Sequence, residues 1–124
     1  MDVERVITKL KEEYPGKNII KLPDDNPTEI ICETGPTIDH PEKSVAVAVI
    51  DKTKSHKHPN GIETYEVLKG TVSLYVNRKT YLLKPGETFV IKPGDVHSAT
   101  ANEAWVKVTS KPGWTPEDHV IDRF

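Results

Sequence analysis

Residues 56–70 read HKHPNGIETYEVLKG. Two histidines stand one residue apart, a Pro-Asn-Gly turn follows, and Glu63 heads the next apolar run. Side chains in a strand alternate between faces, so His56 and His58 are expected to point one way and Lys57 the other, with roughly 6–7 Å between the histidines at the backbone. That separation suits two ligands on one ion. An antiparallel return after the turn would set Glu63 opposite the histidine pair. Further on, residues 86–97 read GETFVIKPGDVH, a short strand closed by a Pro-Gly turn that carries His97 into another strand.

Outward from these segments the pattern stays that of strands. NIIKL, TEIICET, SVAVAVID, TVSLYVN, TYLLK and AWVKVTS alternate or form short apolar runs, divided by turn-rich stretches such as PDDNP, TGPTIDHPEK, KPGE and KPGD. Many short strands with no helix–strand alternation predict an all-β sandwich, jelly roll or small barrel. Helical spacing appears once, in Val3, Val6, Ile7 and Leu10, with Asp2 placed to cap and YPG to stop the chain. The apolar stripe of that helix can pack on the domain or on a partner subunit. The expected layout is one domain over 1–124: a short helix over about 2–13, a barrel over about 18–110 and a tail over about 111–124. The tail, KPGWTPEDHVIDRF, is irregular, and its Trp114 implies that it docks.

With 17 basic and 19 acidic residues the formal net charge is −2, and no Lys/Arg run makes a stripe for phosphates, which argues against nucleic acid. No apolar stretch could serve as a signal-peptide core or a membrane span, so a cytoplasmic protein is expected. The single cysteine, Cys32, cannot form an internal disulfide, and its place in EIIC predicts a buried thiol suited to a reducing compartment.

Taken singly, each polar residue has a plain structural reading: a His-x-His pair is a weak signal, Glu63 could be a solvated strand residue and His97 could cap a turn. Their joint occurrence at positions a folded barrel can superimpose is the stronger signal. The two segments resemble the paired motifs of the cupin superfamily. His56, His58, Glu63 and Gly70 fill the first motif in order, and Gly86, Gly94 and His97 fit the second. Lys92 stands at the second motif's proline position with Pro93 just after it, Ala101 stands at its asparagine position with Asn102 one further on, and Ile50 replaces the glycine that often opens the first motif. None of these departures removes a ligand. The resemblance implies a double-stranded β-helix of jelly-roll type, with one divalent metal held near one mouth by His56, His58, Glu63 and His97. A mixed nitrogen and oxygen set with open positions suits Fe, Mn, Ni, Co, Cu or Zn.

If Glu63 faces inward, so do Tyr65 and Val67, and if His97 does, so do Ala99 and Ala101; Lys54 shares the face of His56, while Glu66 turns outward. Tyr65 and Lys54 are therefore the candidate catalytic residues, against plain roles as a core aromatic and a solvated lysine. His40 and His119 lie in loop-like segments, with solvent as the default for both, although His119 could fold over the mouth. Trp105 and Trp114 read as packing anchors. Three functions stay open: a metal-dependent isomerase, epimerase or lyase on a small hydroxylated or carboxylated molecule, for which no pocket base is evident; an Fe-dependent dioxygenase; and a non-catalytic metal-dependent binding protein. The expected partners are a small-molecule ligand and a second copy of the chain, paired through sheet edges as a homodimer.

Overall fold

The computed structural model describes residues 1–121, so the last three residues of the expected tail lie outside the described residues. After helix α1 (Val3–Glu13) come β1 (Asn18–Leu22), β2 (Glu29–Gly35), β3 (Ser44–Lys52), β4 (His56–Lys57), β5 (Ile62–Lys69), β6 (Val72–Val76), β7 (Lys79–Leu83), β8 (Thr88–Ile91), β9 (His97–Lys111) and β10 (Val120–Ile121). All join one curled antiparallel sheet whose spine is β9. The first part of β9 pairs with β4 and β6, and the later part runs between β3 and β5. The change of partners falls at a bulge where Glu103 takes a positive φ of 53°, its N–H donated to the Asp51 carboxylate.

Alternation along the strands feeds two apolar layers. Ala48, Ile50, Tyr65, Val67, Leu74, Ala99 and Val106 fill the barrel interior. The opposite faces of β2, β3 and β9 present Ile30, Cys32, Val47, Val49 and Trp105 to Val6 and Leu10 of α1. Strand β3 is thus covered on both sides, which is why SVAVAVID is almost wholly apolar. The helix stripe lands on its own sheet, and burying Val6 and Leu10 stabilises the fold by about 1.5–3 kcal/mol each. Asp2 caps the helix by accepting the Arg5 N–H, and Cys32 is fully buried.

Two local expectations are corrected. The segment after His58 does not form a hairpin with β5: β4 pairs with β9 and β10, whereas β5 pairs with β8 and β9. The backbone of the Pro-Asn-Gly turn is satisfied elsewhere, since the His58 carbonyl accepts the Gly94 N–H and the N–Hs of Asn60 and Gly61 are taken by the Asp118 carboxylate. The tail is more than a docked irregular segment. It turns at Pro116–Asp118 and then adds β10 to β4, with Val120 opposite Lys57 and Ile121 opposite His56. Among the described residues no helix is long and apolar enough to cross a membrane.

Candidate metal centre and its cavity

His56 and His97 meet as ladder partners across β4 and β9, which fixes both rings at one end of the barrel. His58 follows two residues on, and Glu63 reaches the same point from β5. One ligand atom from each of the four lies within 4.8 Å of all the others, and all four residues are buried, His97 completely. The rings are oriented by one repeated device. Nδ1–H of His56 donates to the Lys54 carbonyl at 2.7 Å, that of His58 to the Asp118 carbonyl at 2.9 Å and that of His97 to the Asp95 carbonyl at 2.9 Å. Each bond selects the tautomer that leaves Nε2 as a free lone pair. Glu63 lies 3.2 Å from His58 Nε2 and 3.5 Å from His97 Nε2, and those two nitrogens have no hydrogen-bond partner. Buried lone pairs gathered about one carboxylate are what a cation would satisfy, so the four residues fit a metal ion in donor type, tautomer and convergence.

The electrostatics agree. Burial, reinforced by His97, pushes the His56 pKa down to about 3 and keeps its ring neutral. Burial acts in the same direction on His58 and is the largest single influence, but the Glu63 carboxylate beside it and the Asp118 carbonyl on its other nitrogen together outweigh it and the net shift is upward. For Glu63, burial favours the protonated form, yet the combined influence of the adjacent His58 and His97 rings wins and the carboxyl is held well below its usual range.

His56 and Glu63 open onto a cavity of about 350 Å³ whose wall is largely aliphatic, including Ile20, Leu22, Ile31, Ala48 and Val108. Tyr65 lines it, and burial with the nearby carboxylates Glu63 and Glu29 raises its pKa well above the ordinary phenol value. Lys54 is exposed and absent from the lining; it serves the site through its backbone carbonyl. Gly86 and Gly94, in the twin KPGE and KPGD turns, take φ of 87° and 83°, and each turn is closed by its acidic residue, Glu87 on the Lys84 N–H and Asp95 on the Lys92 N–H. The shifted proline at 93 is thus accommodated in the turn that delivers His97.

Two contributors lie beyond the candidates read from sequence, one left to solvent by default and one missed. His119 is half-buried and not left to solvent: its ring stacks on His56 with centroids 4.4 Å apart and planes 15° from parallel, and Trp114 Nε1–H donates to its Nδ1 at 3.3 Å. Both line the cavity, so the tail builds one wall. Trp105, by contrast, packs beneath α1, as an anchor. The second contributor is Glu29. Strand alternation turns Glu29, Ile31 and Glu33 to the cavity while Ile30 and Cys32 face the helix. Burial, with the charge of Glu63, lifts the Glu29 pKa to about 7. The signal was present in EIICE, where two glutamates share the face opposite a buried cysteine.

A family model described as the cupin domain matches residues 44–110. The chain belongs to the cupin family. Solved structures agree on the fold of this cupin. The nucleoside dehydratase Pac13, from Streptomyces, superposes with a TM-score of 0.77 at 14% identity, covering 90% of this chain and 88% of that one. KdgF from Halomonas sp. gives 0.66 at 20% identity over 78% and 89%, and ectoine synthase from P. lautus gives 0.68 at 19% over 84% and 76%. No curated protein matches the cupin by sequence.

Proposed function

We propose that this cupin holds one divalent metal ion on His56, His58, Glu63 and His97 and acts on a small hydroxylated or carboxylated molecule in the adjoining cavity, as an enzyme of the isomerase, epimerase or lyase type. The observation that carries the reading is the shared orientation of the three rings, each tied by Nδ1 to a carbonyl with its other nitrogen turned toward one carboxylate. When bound, such an ion supplies Lewis acidity and a fixed point for a substrate oxygen. The protein does the rest. Tyr65, kept protonated, offers a hydrogen-bond donor to a ligand oxygen, while Trp114 and His119 cover one side and exclude water. Trp114 is itself held, its N–H by the Ser44 hydroxyl and its carbonyl by the Thr37 hydroxyl at 2.5 Å. No chemical role is assigned to the Lys54 ammonium, which lies outside the cavity lining. Fold likeness to a nucleoside dehydratase and an ectoine synthase is in keeping with small-molecule chemistry.

An Fe-dependent dioxygenase is the second reading, favoured by the aliphatic wall; a non-catalytic metal-dependent binding protein is the third. Metal analysis of protein purified without added metal tests all three. The expected result is one ion per chain, lost on alanine substitution of the four ligands. Iron with oxygen uptake on catechols, thiols or diketones would move the assignment to the dioxygenase, and absence of metal from the wild type would end it. A cytoplasmic homodimer belongs to the same proposal, with light scattering as the test of its size.

A further inference from the structure

A glutamate half-buried in an aliphatic wall is poorly solvated, and a partner would offset the cost of that desolvation. Glu33 has a partner: its carboxylate accepts Asn18 Nδ2–H at 2.7 Å in an exposed position. Glu29, two residues beyond Ile31 on the same face, is different. Its ladder neighbours are Leu22 on β1 and Ile50 on β3, and Ile31 lies beside it on the cavity wall. Among the described residues its side chain has no hydrogen bond and no ion pair, and no lysine or arginine lines the cavity. The half-buried carboxyl therefore stands in the same chamber as Glu63 and Tyr65, with the contents of that chamber and water to meet.

We propose that Glu29 is the catalytic acid–base residue of this cavity, and that the cavity takes uncharged hydroxylated carbonyl compounds in preference to carboxylates or phosphates. The proposal rests on the metal-dependent reading above and supplies the base that the sequence did not reveal. Ionised Glu29 removes a proton from the carbon beside the carbonyl; the C–H bond breaks and its electron pair passes toward the carbonyl oxygen. In an isomerisation the resulting carboxylic acid, which exchanges with solvent, returns a proton to the former carbonyl carbon while the hydroxyl proton of the first carbon moves to the former carbonyl oxygen; in an elimination it protonates a hydroxyl departing from the next carbon, which leaves as water as the electron pair returns. Protons balance and no oxidant is needed. A pKa near 7 keeps both forms of Glu29 populated at neutral pH, the condition under which one group can both take and give a proton. The preference for neutral compounds follows from Glu29 and Glu33 on the wall, which with Glu63 offset the charge of a bound ion, and from the lack of any lysine or arginine in the lining.

The experiment is deuterium exchange in D2O, followed by proton NMR, with the full chain as purified and its metal content measured. The probes are a neutral set (dihydroxyacetone, xylulose, fructose) and an anionic set (glucuronate, fructose 6-phosphate). The wild type is expected to exchange the C–H beside the carbonyl in at least one neutral probe, and faster than in either anion. E29Q should lower that rate at least 100-fold with metal content kept and the fold no less stable, and E29D should retain part of it. The wild-type rate should rise with pH through an inflection near 7 that E29Q abolishes. The other titratable groups on the wall are Glu33, His56, Glu63, Tyr65 and His119, and the Gln variant separates Glu29 from them. E29Q exchanging as fast as wild type, preference for the anions, or no exchange with any probe would overturn the proposal. Should the wild type hold metal while E29Q exchanges normally, only the Glu29 assignment falls; a metal-free wild type removes the reading beneath it.

Discussion

His58 and Asp118 are 60 residues apart in the chain and in direct hydrogen-bond contact, ring Nδ1–H to backbone carbonyl, at 2.9 Å. The side chain of Asp118 secures that contact, since its two oxygens each accept a backbone N–H, from Asn60 and Gly61, at 2.8 Å. One residue of the tail thus orients a candidate ligand and pins the turn that follows it. Asp118→Ala should release the tail, make it more sensitive to protease and weaken metal binding about 10–100-fold, the usual cost of losing an outer partner of a ligand. Limited proteolysis and chelator competition measure the two effects, and a variant matching wild type in both would refute the coupling.

Removal of a ligand should cost more than removal of its support. His97 is fully buried beside Glu63, and His97→Ala or His58→Ala should reduce the metal content per chain to near background. Each variant also leaves a buried carboxylate without its imidazole neighbour, so a lower melting temperature is expected in the metal-free protein. Elemental analysis beside calorimetry reads both.

Metal affinity should fall as the pH is lowered, because the ligand nitrogens must be unprotonated to bind. His56 is already neutral down to about pH 3, so protons compete first at the His58–Glu63 pair, where the His58 pKa is raised. The decline should therefore begin above the ordinary histidine pKa of about 6.5. Titration by calorimetry between pH 8 and about 5 checks this, and a flat affinity would argue against imidazole ligation.

Glu29 gives a stability effect of opposite sign to a paired carboxylate. Its pKa is 4.5 in the reference state and about 7 when folded, so the native state binds the extra proton and stability declines as pH rises through that interval. Glu29→Gln should remove the decline, a difference on the order of 1–3 kcal/mol between pH 4 and 8. Denaturant unfolding of both proteins at the two pH values, with metal removed, measures it. Parallel pH profiles would show that the carboxyl is not held in a desolvating wall.

Gly70 has a φ of 80°, and a Cβ there would stand 3.1 Å from Ala104 Cα on β9. Gly70→Ala should destabilise the fold by more than about 1 kcal/mol, from backbone strain and this close approach together, and leave the metal content unchanged. Thermal unfolding with elemental analysis tests the pair of outcomes.

Strand alternation, turn chemistry and one capped helical stripe are local properties, set by neighbours along the chain, and they sufficed for an all-β barrel with α1 at its start. The motif spacing sufficed for His56, His58, Glu63 and His97 as one cluster. Local signals did not reveal that β4 would pair with β9 and the tail instead of returning as a hairpin, because that depends on where the N–Hs of Asn60 and Gly61 find acceptors. Nor did they distinguish Glu29 from Glu33, identical residues on one face of one strand. Only the curl of the sheet decides that the carboxyl of Glu29 faces a chamber shared with Glu63 while Glu33 meets Asn18, and that His119 leaves solvent to stack on His56. Periodicity encodes which side of a strand a residue takes; what stands opposite is set by closure of the barrel, which brings together segments that the chain keeps far apart.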